Sequence, residues 1–383
     1  MIILITIFLL IMILFVFLVK NNDWDNRLIF FGLFFPVLLF LLWYLEFSLT
    51  NLSFFISDEN FYINNAKNGI LEFGDRFLWN FVNYVIYNYD IYLDGLALKI
   101  INIPIFAFWL YYLKKIFEYK TIYLLPLFLP YTAWLSIFNL RDISIQLFTA
   151  LSVYLYFKNQ KLLSLIFLIA LYLSRPYICL IVIISIILFE IPNILFNLKI
   201  ILIRLQIKKQ HLIFLVLLPF LSIILFYISK NILIERIMQY YRWFNHLLDN
   251  DMHSNISLFN YPYYLARYAF GPLPLSLLGR LSEGGSPLWG FFDDLTLFLH
   301  QTIYFIILAY LLFNFKYIFI LIKQFSKTEK VVSFVYLLYW PIYSFFRLGA
   351  PHQRQKLPFQ IIIFIIFLKI LNLKYSKRNR WLN

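Results

Sequence analysis

Two adjacent acids, Asp58 and Glu59, follow the second long apolar run of the chain, and Arg141, Arg175 and Arg354 stand at other breaks between apolar runs. A positioned carboxylate can take the proton from an attacking hydroxyl. Guanidinium forks bind phosphate oxygens bidentately and keep their charge at any working pH. Acids and arginines together suit transfer of a group onto a hydroxyl with phosphate departing, the arginines neutralising the charge that develops on it. Each residue also has a plainer reading. Ser57 or Asp58 can cap a helix that begins near Asn60. Arg141 and Arg175 can snorkel, or pair with an acid from another loop. For the acids the two readings are compatible.

The elements that must position these residues are set by composition. The chain is 62% hydrophobic and 14% charged, whereas a soluble domain carries about 25% charged residues. Backbone in lipid must satisfy its own hydrogen bonds, so helices are expected, and the apolar runs are too long for barrel strands. The expected fold is all-α: a polytopic transmembrane bundle of about eleven spans in a single integral membrane domain over 1–383. Expected spans lie near 2–19, 28–46, 96–113, 121–139 (kinked by Pro126 and Pro130), 143–157, 162–173, a seventh ending at Glu190, 211–229, 295–315, 331–348 and 357–372. Residues 2–19 lack the flanks of a cleaved signal and read as a first span. Loops 47–95 and 230–294 are polar, and 76–94 has the aromatic anchors of an interfacial helix. Lys199, Arg204, Lys208 and Lys209 make 194–209 an amphipathic helix for an anionic surface. Cys179 stands alone, which excludes an internal disulfide.

Lysine and arginine placement orients the spans. Lys20/Arg27, Lys114–Lys120, Lys158/Lys161, 194–209, Lys316–Lys330 and the tail from Lys374 all fall on one side if the N-terminus is outside and the C-terminus cytoplasmic. The Asp58-Glu59 loop, Arg141-Asp142, Arg175, segment 230–294 and the turn His352–Lys356 then share the outer face, and the span interiors read as nearly free of charge. The net charge of +14 becomes a collar for anionic lipid, with no call for nucleic acid. Other signals are weaker. Asp249-Asn250-Asp251-Met252-His253 has a metal-like spacing that solvated turns share, so no metal site or cofactor is assigned, a divalent cation being the minor alternative. Asp293-Asp294 reads as the polar edge of a span, His211 and His300 as interfacial, and the acceptor patterns at Asn51 and Asn255 as chance matches.

Short motifs carry a family resemblance. Asp58-Glu59 followed by Tyr62 in the first outer loop resembles the start of GT-C-type membrane glycosyltransferases, in which an acid of that loop is the base. Arg354-Gln355-Lys356-Leu357-Pro358-Phe359 resembles the basic-Pro lead-in to a late helix of the same group. Leu140-Arg141-Asp142 and Ser174-Arg175-Pro176-Tyr177 resemble bacterial O-antigen and exopolysaccharide polymerases, although the arginine repeat of some such polymerases is absent from the long loop, where Arg236, Arg242, Arg267 and Arg280 are scattered. The resemblance implies a cytoplasmic-membrane enzyme that moves sugars between polyprenyl-(di)phosphate-linked substrates, beside other polysaccharide-assembly proteins. Asp58 and Glu59 would be catalytic; Arg141, Asp142, Arg175, Tyr62, Arg354 and Lys356 would hold substrate and its phosphate. A repeat-unit polymerase is the first expectation, a single-sugar transferase the second, and a lipid-linked-glycan flippase the rival from another class.

Overall fold

The computed structural model describes residues 26–50, 52–71, 76–89, 96–205, 261–284, 290–346 and 353–380. Every regular element among them is helical. The expected spans 2–19 and 211–229, the run 249–253, both acceptor asparagines, His211 and residues 206–209 of the 194–209 segment lie outside the described residues.

In chain order, α1 (Asn26–Leu49) leads to two shorter helices, α2 (Ser57–Lys67) and α3 (Phe77–Tyr89). Next come α4 (Ala97–Phe117), α5 (Asp142–Phe157), α6 (Lys161–Ser174) and α7 (Pro176–Leu205). The pair α8 (Tyr261–Phe270) and α9 (Pro274–Ser282) precedes α10 (Phe291–Phe313), α11 (Phe315–Gln324), α12 (Lys327–Phe346) and α13 (Gln353–Arg380). By length and composition, α1, α4, α10 and residues Arg354–Lys374 of α13 can each cross a membrane, and α5, α6 and the first half of α7 are shorter apolar helices.

The packing of α1 shows why such helices need lipid. Leu33, Phe40 and Trp43 are buried while Phe30, Phe34, Leu38, Leu41 and Leu45 are exposed, so both faces are apolar. A π-turn over Phe30–Phe34 carries Gly32 against α4, where a Cβ on Gly32 would sit 3.2 Å from the Ala107 Cβ. Paired small residues let helix backbones approach closely in a medium that gives no hydrophobic drive.

The expected kinked span at 121–139 takes a different form. It breaks into a 3₁₀ turn at Lys120–Leu124, helical turns at Leu125–Phe128 and Tyr131–Trp134, and a second 3₁₀ turn at Leu135–Ile137. Pro130 is the cause: its ring drives the preceding residue from the α region, and Leu129 adopts φ −125°, ψ 68°. Irregular backbone survives at membrane depth only inside protein. Here Thr132 and Ser136 hydroxyls donate to the Leu129 and Ala133 carbonyls at 2.7 and 2.6 Å. The Asn102 amide donates to the Phe138 and Leu140 carbonyls at 2.7 and 2.6 Å. This buried strut delivers Asn139 and Arg141 to the bundle end.

Ion pairs form two sets at opposite ends of α13. Arg354 pairs with Asp58 and Asp142, whereas Lys369 pairs with Glu329. Those two cations are separated by about 22 Å at 1.5 Å of rise per residue. Near the second set Lys327 lies 3.4 Å from Glu190. The helix interiors also differ from the nearly charge-free reading: Lys99, Asp293, Asp294, His300 and Lys356 are all buried within helices long enough to span.

Glu46, near the end of α1, ties that helix to the start of α10. Its carboxylate accepts the Phe291 N–H and, at 3.1 Å, the Phe292 N–H, capping α10. Gly290 makes this approach possible, with φ +90° and a notional Cβ 2.6 Å from Glu46 Oε1. Gly290→Ala should therefore destabilise the chain by about 1–3 kcal/mol, read as a lowered unfolding midpoint in detergent; an unchanged midpoint would contradict this contact.

Candidate functional site: paired acids and arginines at one bundle end

Helix α2 splits the two adjacent acids. Glu59 turns inward and is fully buried. Its Oε2 accepts the Ile56 N–H at 2.9 Å, capping α2, and the Lys99 ammonium at 2.6 Å. Oε1 accepts the Asn139 N–H at 2.6 Å. The Lys99 ammonium also lies 4.3 Å from the Trp43 ring centroid and 4.6 Å from that of Phe138. The Asn139 amide then donates to Asn83, whose own amide reaches the Trp79 carbonyl at 2.8 Å. One carboxylate thus joins α1, α2, α3, α4 and the strut.

Asp58, one residue earlier and about 100° around the helix, faces the other way with its side chain 49% exposed. Arg354 engages its Oδ2. The same guanidinium lies 3.8 Å from Asp142 at the head of α5, and Asp142 lies 3.6 Å from Arg175 in the α6–α7 corner. Arg175 donates to the Tyr343 hydroxyl at 2.9 Å, and Tyr343 shares a 2.6 Å hydrogen bond with Tyr177. Alternating charge therefore runs from an exposed rim to buried Tyr343 and its half-buried partner Tyr177. Arg141 donates to the Ser174 carbonyl at 2.8 Å, tying the α5 corner to the α6 terminus. Tyr62 is buried beside this set, and burial raises its phenol above the ordinary range against the pull of Arg141 and Arg76.

Of the residues named from sequence, the structure brings Asp58, Arg354, Asp142 and Arg175 into one chain of contacts, with Arg141 and Tyr62 beside it. Glu59 forms a separate, buried knot. Lys356 is also apart: its ammonium donates to the Gly271 carbonyl on the α8–α9 side.

Sequence reasoning missed several participants. Lys99 could have been found as a lysine inside an apolar run, which needs an acid. Asp293 and Asp294 read as a polar edge, yet both are buried. Asp293 accepts the Trp134 indole N–H at 2.6 Å, and Asp294 lies 3.3 Å from Arg280. An adjacent acid pair ahead of an apolar run was the available signal, the same one noticed at Asp58-Glu59. Tyr343 gave none, being one tyrosine among 29. Among the described residues no group of three or more His, Cys, Asp or Glu side chains could hold a metal ion.

No family model, curated protein or solved structure matches the chain.

Removing one partner of a buried ion pair strands the other charge, which costs about 3–5 kcal/mol. Glu59→Gln should accordingly lower the unfolding midpoint in detergent sharply, while Asp58→Asn, at the exposed rim, should move it little. Equal effects of the two substitutions would contradict the division of labour between the adjacent acids.

Proposed function

We propose that the chain is a membrane glycosyl-transfer enzyme of cell-surface polysaccharide assembly, acting on polyprenyl-(di)phosphate-linked sugars, with a repeat-unit polymerase as the favoured form. The observation that carries this reading is the Asp58–Arg354–Asp142–Arg175 chain of contacts, drawn from four helices or corners distant in sequence. It puts an accessible carboxylate next to guanidinium groups at the end of an apolar bundle, where a lipid-anchored phosphate can arrive from the bilayer side.

Asp58 is the residue in this proposal that accepts the proton. Glu59 serves poorly, since both its oxygens are occupied by Lys99, Ile56 and Asn139. As the acceptor hydroxyl loses its proton to Asp58, its oxygen bonds to the anomeric carbon. The bond from that carbon to the phosphate oxygen breaks, and the phosphate leaves with the electron pair and a negative charge. Arg354 and Arg175 stabilise that charge, and Asp142 holds the two guanidinium groups in register until substrate arrives. The proposed setting is a bacterial cytoplasmic membrane, with about eleven spans, the N-terminus outside and this site on the outer face, away from the nucleotide-sugar pool. The partners in this reading are the polyprenyl-linked oligosaccharides, anionic lipids and neighbouring assembly proteins.

Translocation of a lipid-linked glycan is the second reading. The specific observation in its favour is the buried polar contact between His300 on α10 and Gln360 on α13, with buried Lys356 one turn before Gln360, because polar groups inside spans often line a path.

The glycan profile of a strain lacking the chain separates these readings. Single repeat units on the outer-face lipid carrier indicate a polymerase, units lacking one sugar a single-sugar transferase, and units trapped on the cytoplasmic face a flippase. Complementation with Asp58→Asn should lower polymer output about a hundredfold or more. Arg175→Lys should lose output as well, since an ammonium cannot hold Asp142 and Tyr343 in the same fork geometry. Full polymer from both variants would overturn the assignment.

A further inference from the structure

Helix α11 is apolar enough for lipid but too short to cross it. Its 10 residues rise about 15 Å, half of a hydrocarbon core of about 30 Å. It follows α10 across a break at Asn314. The Asn314 side-chain amide seals that break by donating to the Tyr310 carbonyl at 2.7 Å, one of the open carbonyls at the end of α10.

At about 100° per residue the helix carries three stripes. Leu321 turns inward with half-buried Tyr317 and Ile318. Phe315, Phe319 and Ile322 form an exposed apolar stripe, continued by exposed Leu312 and Phe313 at the end of α10. Lys316 and Lys323, both exposed, form a third stripe about 90° around from the apolar one. An apolar face turned outward with lysines at its flank suits a helix lying in the plane of a membrane interface.

Two cations converge on this corner. The Lys374 ammonium, from α13, lies 5.2 Å from the Tyr310 ring centroid and 5.3 Å from that of Tyr317. The Lys316 ammonium lies 5.5 Å from the same Tyr317 ring. The ring faces offset part of each charge. Among the described residues neither lysine pairs with a carboxylate, and Glu329 and Glu190 at this bundle end are engaged by Lys369 and Lys327. Two ammonium groups at one ring repel each other, and an anion between them relieves the repulsion. Lys316 is exposed and Lys374 partly so, so a ligand reaches both from outside the bundle. A phosphodiester has two free oxygens, one for each ammonium. The exposed Leu312, Phe313, Phe315 and Phe319 alongside favour a phosphate that carries acyl chains over a free ion.

We infer that the α10–α11 corner and the end of α13 bind an anionic phospholipid, its phosphate between Lys316 and Lys374 and its chains along α10 and α11. Summed basic charge attracts such lipid anywhere along this end of the bundle, whereas this site selects one place and two lysines. The inference rests on the membrane reading and on neither glycosyl transfer nor translocation.

The full chain in detergent tests it. Unfolding midpoints are measured with added phosphatidylglycerol, phosphatidylcholine or inorganic phosphate, and retained lipid is counted by native mass spectrometry. The wild type should retain phosphatidylglycerol in preference to phosphatidylcholine, and phosphatidylglycerol alone should stabilise it. Lys316→Gln combined with Lys374→Gln should weaken that retention roughly tenfold or more. Lys323→Gln removes the same charge two turns further along α11 and should leave retention unchanged. Midpoints without lipid verify that the variants fold, and Lys316→Gln alone, at an exposed position, should weaken retention severalfold and carries the test should the double variant misfold. Equal losses from Lys323→Gln and Lys316→Gln would reveal a diffuse charge effect and overturn the site. Unchanged retention in the folded double variant would overturn it too, as would a wild type with no preference for phosphatidylglycerol or one that responds equally to inorganic phosphate.

Discussion

Everything at the polar end of the bundle depends on one buried ion pair, Glu59 with Lys99. A lysine in the first turn of an apolar helix is costly in lipid unless an acid reaches it. The acid comes from a helix that packs on the bundle end, and that requirement brings α2 down onto α4. Once Glu59 is anchored, helix geometry alone sends Asp58 outward to Arg354. The aromatic walls of Trp43 and Phe138 keep water from the pair, and the Asn139 N–H ties in the irregular strut. The position of the exposed carboxylate is thus a consequence of where its buried neighbour must go.

The same constraint explains the broken segment between α4 and α5. A continuous span could not place both Asn139 at Glu59 and Arg141 at the α6 terminus. The proline-interrupted strut does so by satisfying its freed carbonyls with Thr132, Ser136 and Asn102. The result is a short path from a structural ion pair to a network of alternating charge. Acids and arginines in that network compensate one another, so the charges of the site rest closed on themselves.

Several features of this arrangement were legible in the amino-acid order, and each had a local cause. The helical class follows from the length of the apolar runs, and the expected 28–46 and 357–372 segments fall inside α1 and α13. Four helices meet the length and hydropathy of a crossing helix among the described residues, so the count near eleven rests on the apolar runs themselves. Arg141, Arg175 and Arg354 were visible because each interrupts such a run. Which of Asp58 and Glu59 faces the interior was not legible, because that depends on the rotation of α2 about its axis, which Lys99 fixes from forty residues away. The depth of Asp293 and Asp294 was hidden for a similar reason. Their burial is created by Trp134, remote in the chain, and by the turn that folds α9 back onto α10.

The central claim is that the corner at Asp58 and the head of α13 meet at one bundle end in the native membrane. Thiol cross-linking tests it most directly: Cys179→Ala removes the native thiol, cysteines replace residues 58 and 354, and a short bis-methanethiosulfonate reagent is applied to intact membranes. The account predicts an intramolecular cross-link between the two, together with labelling of both by a membrane-impermeant maleimide from the same side. Labelling of the two cysteines from opposite sides, with no cross-link, would contradict it.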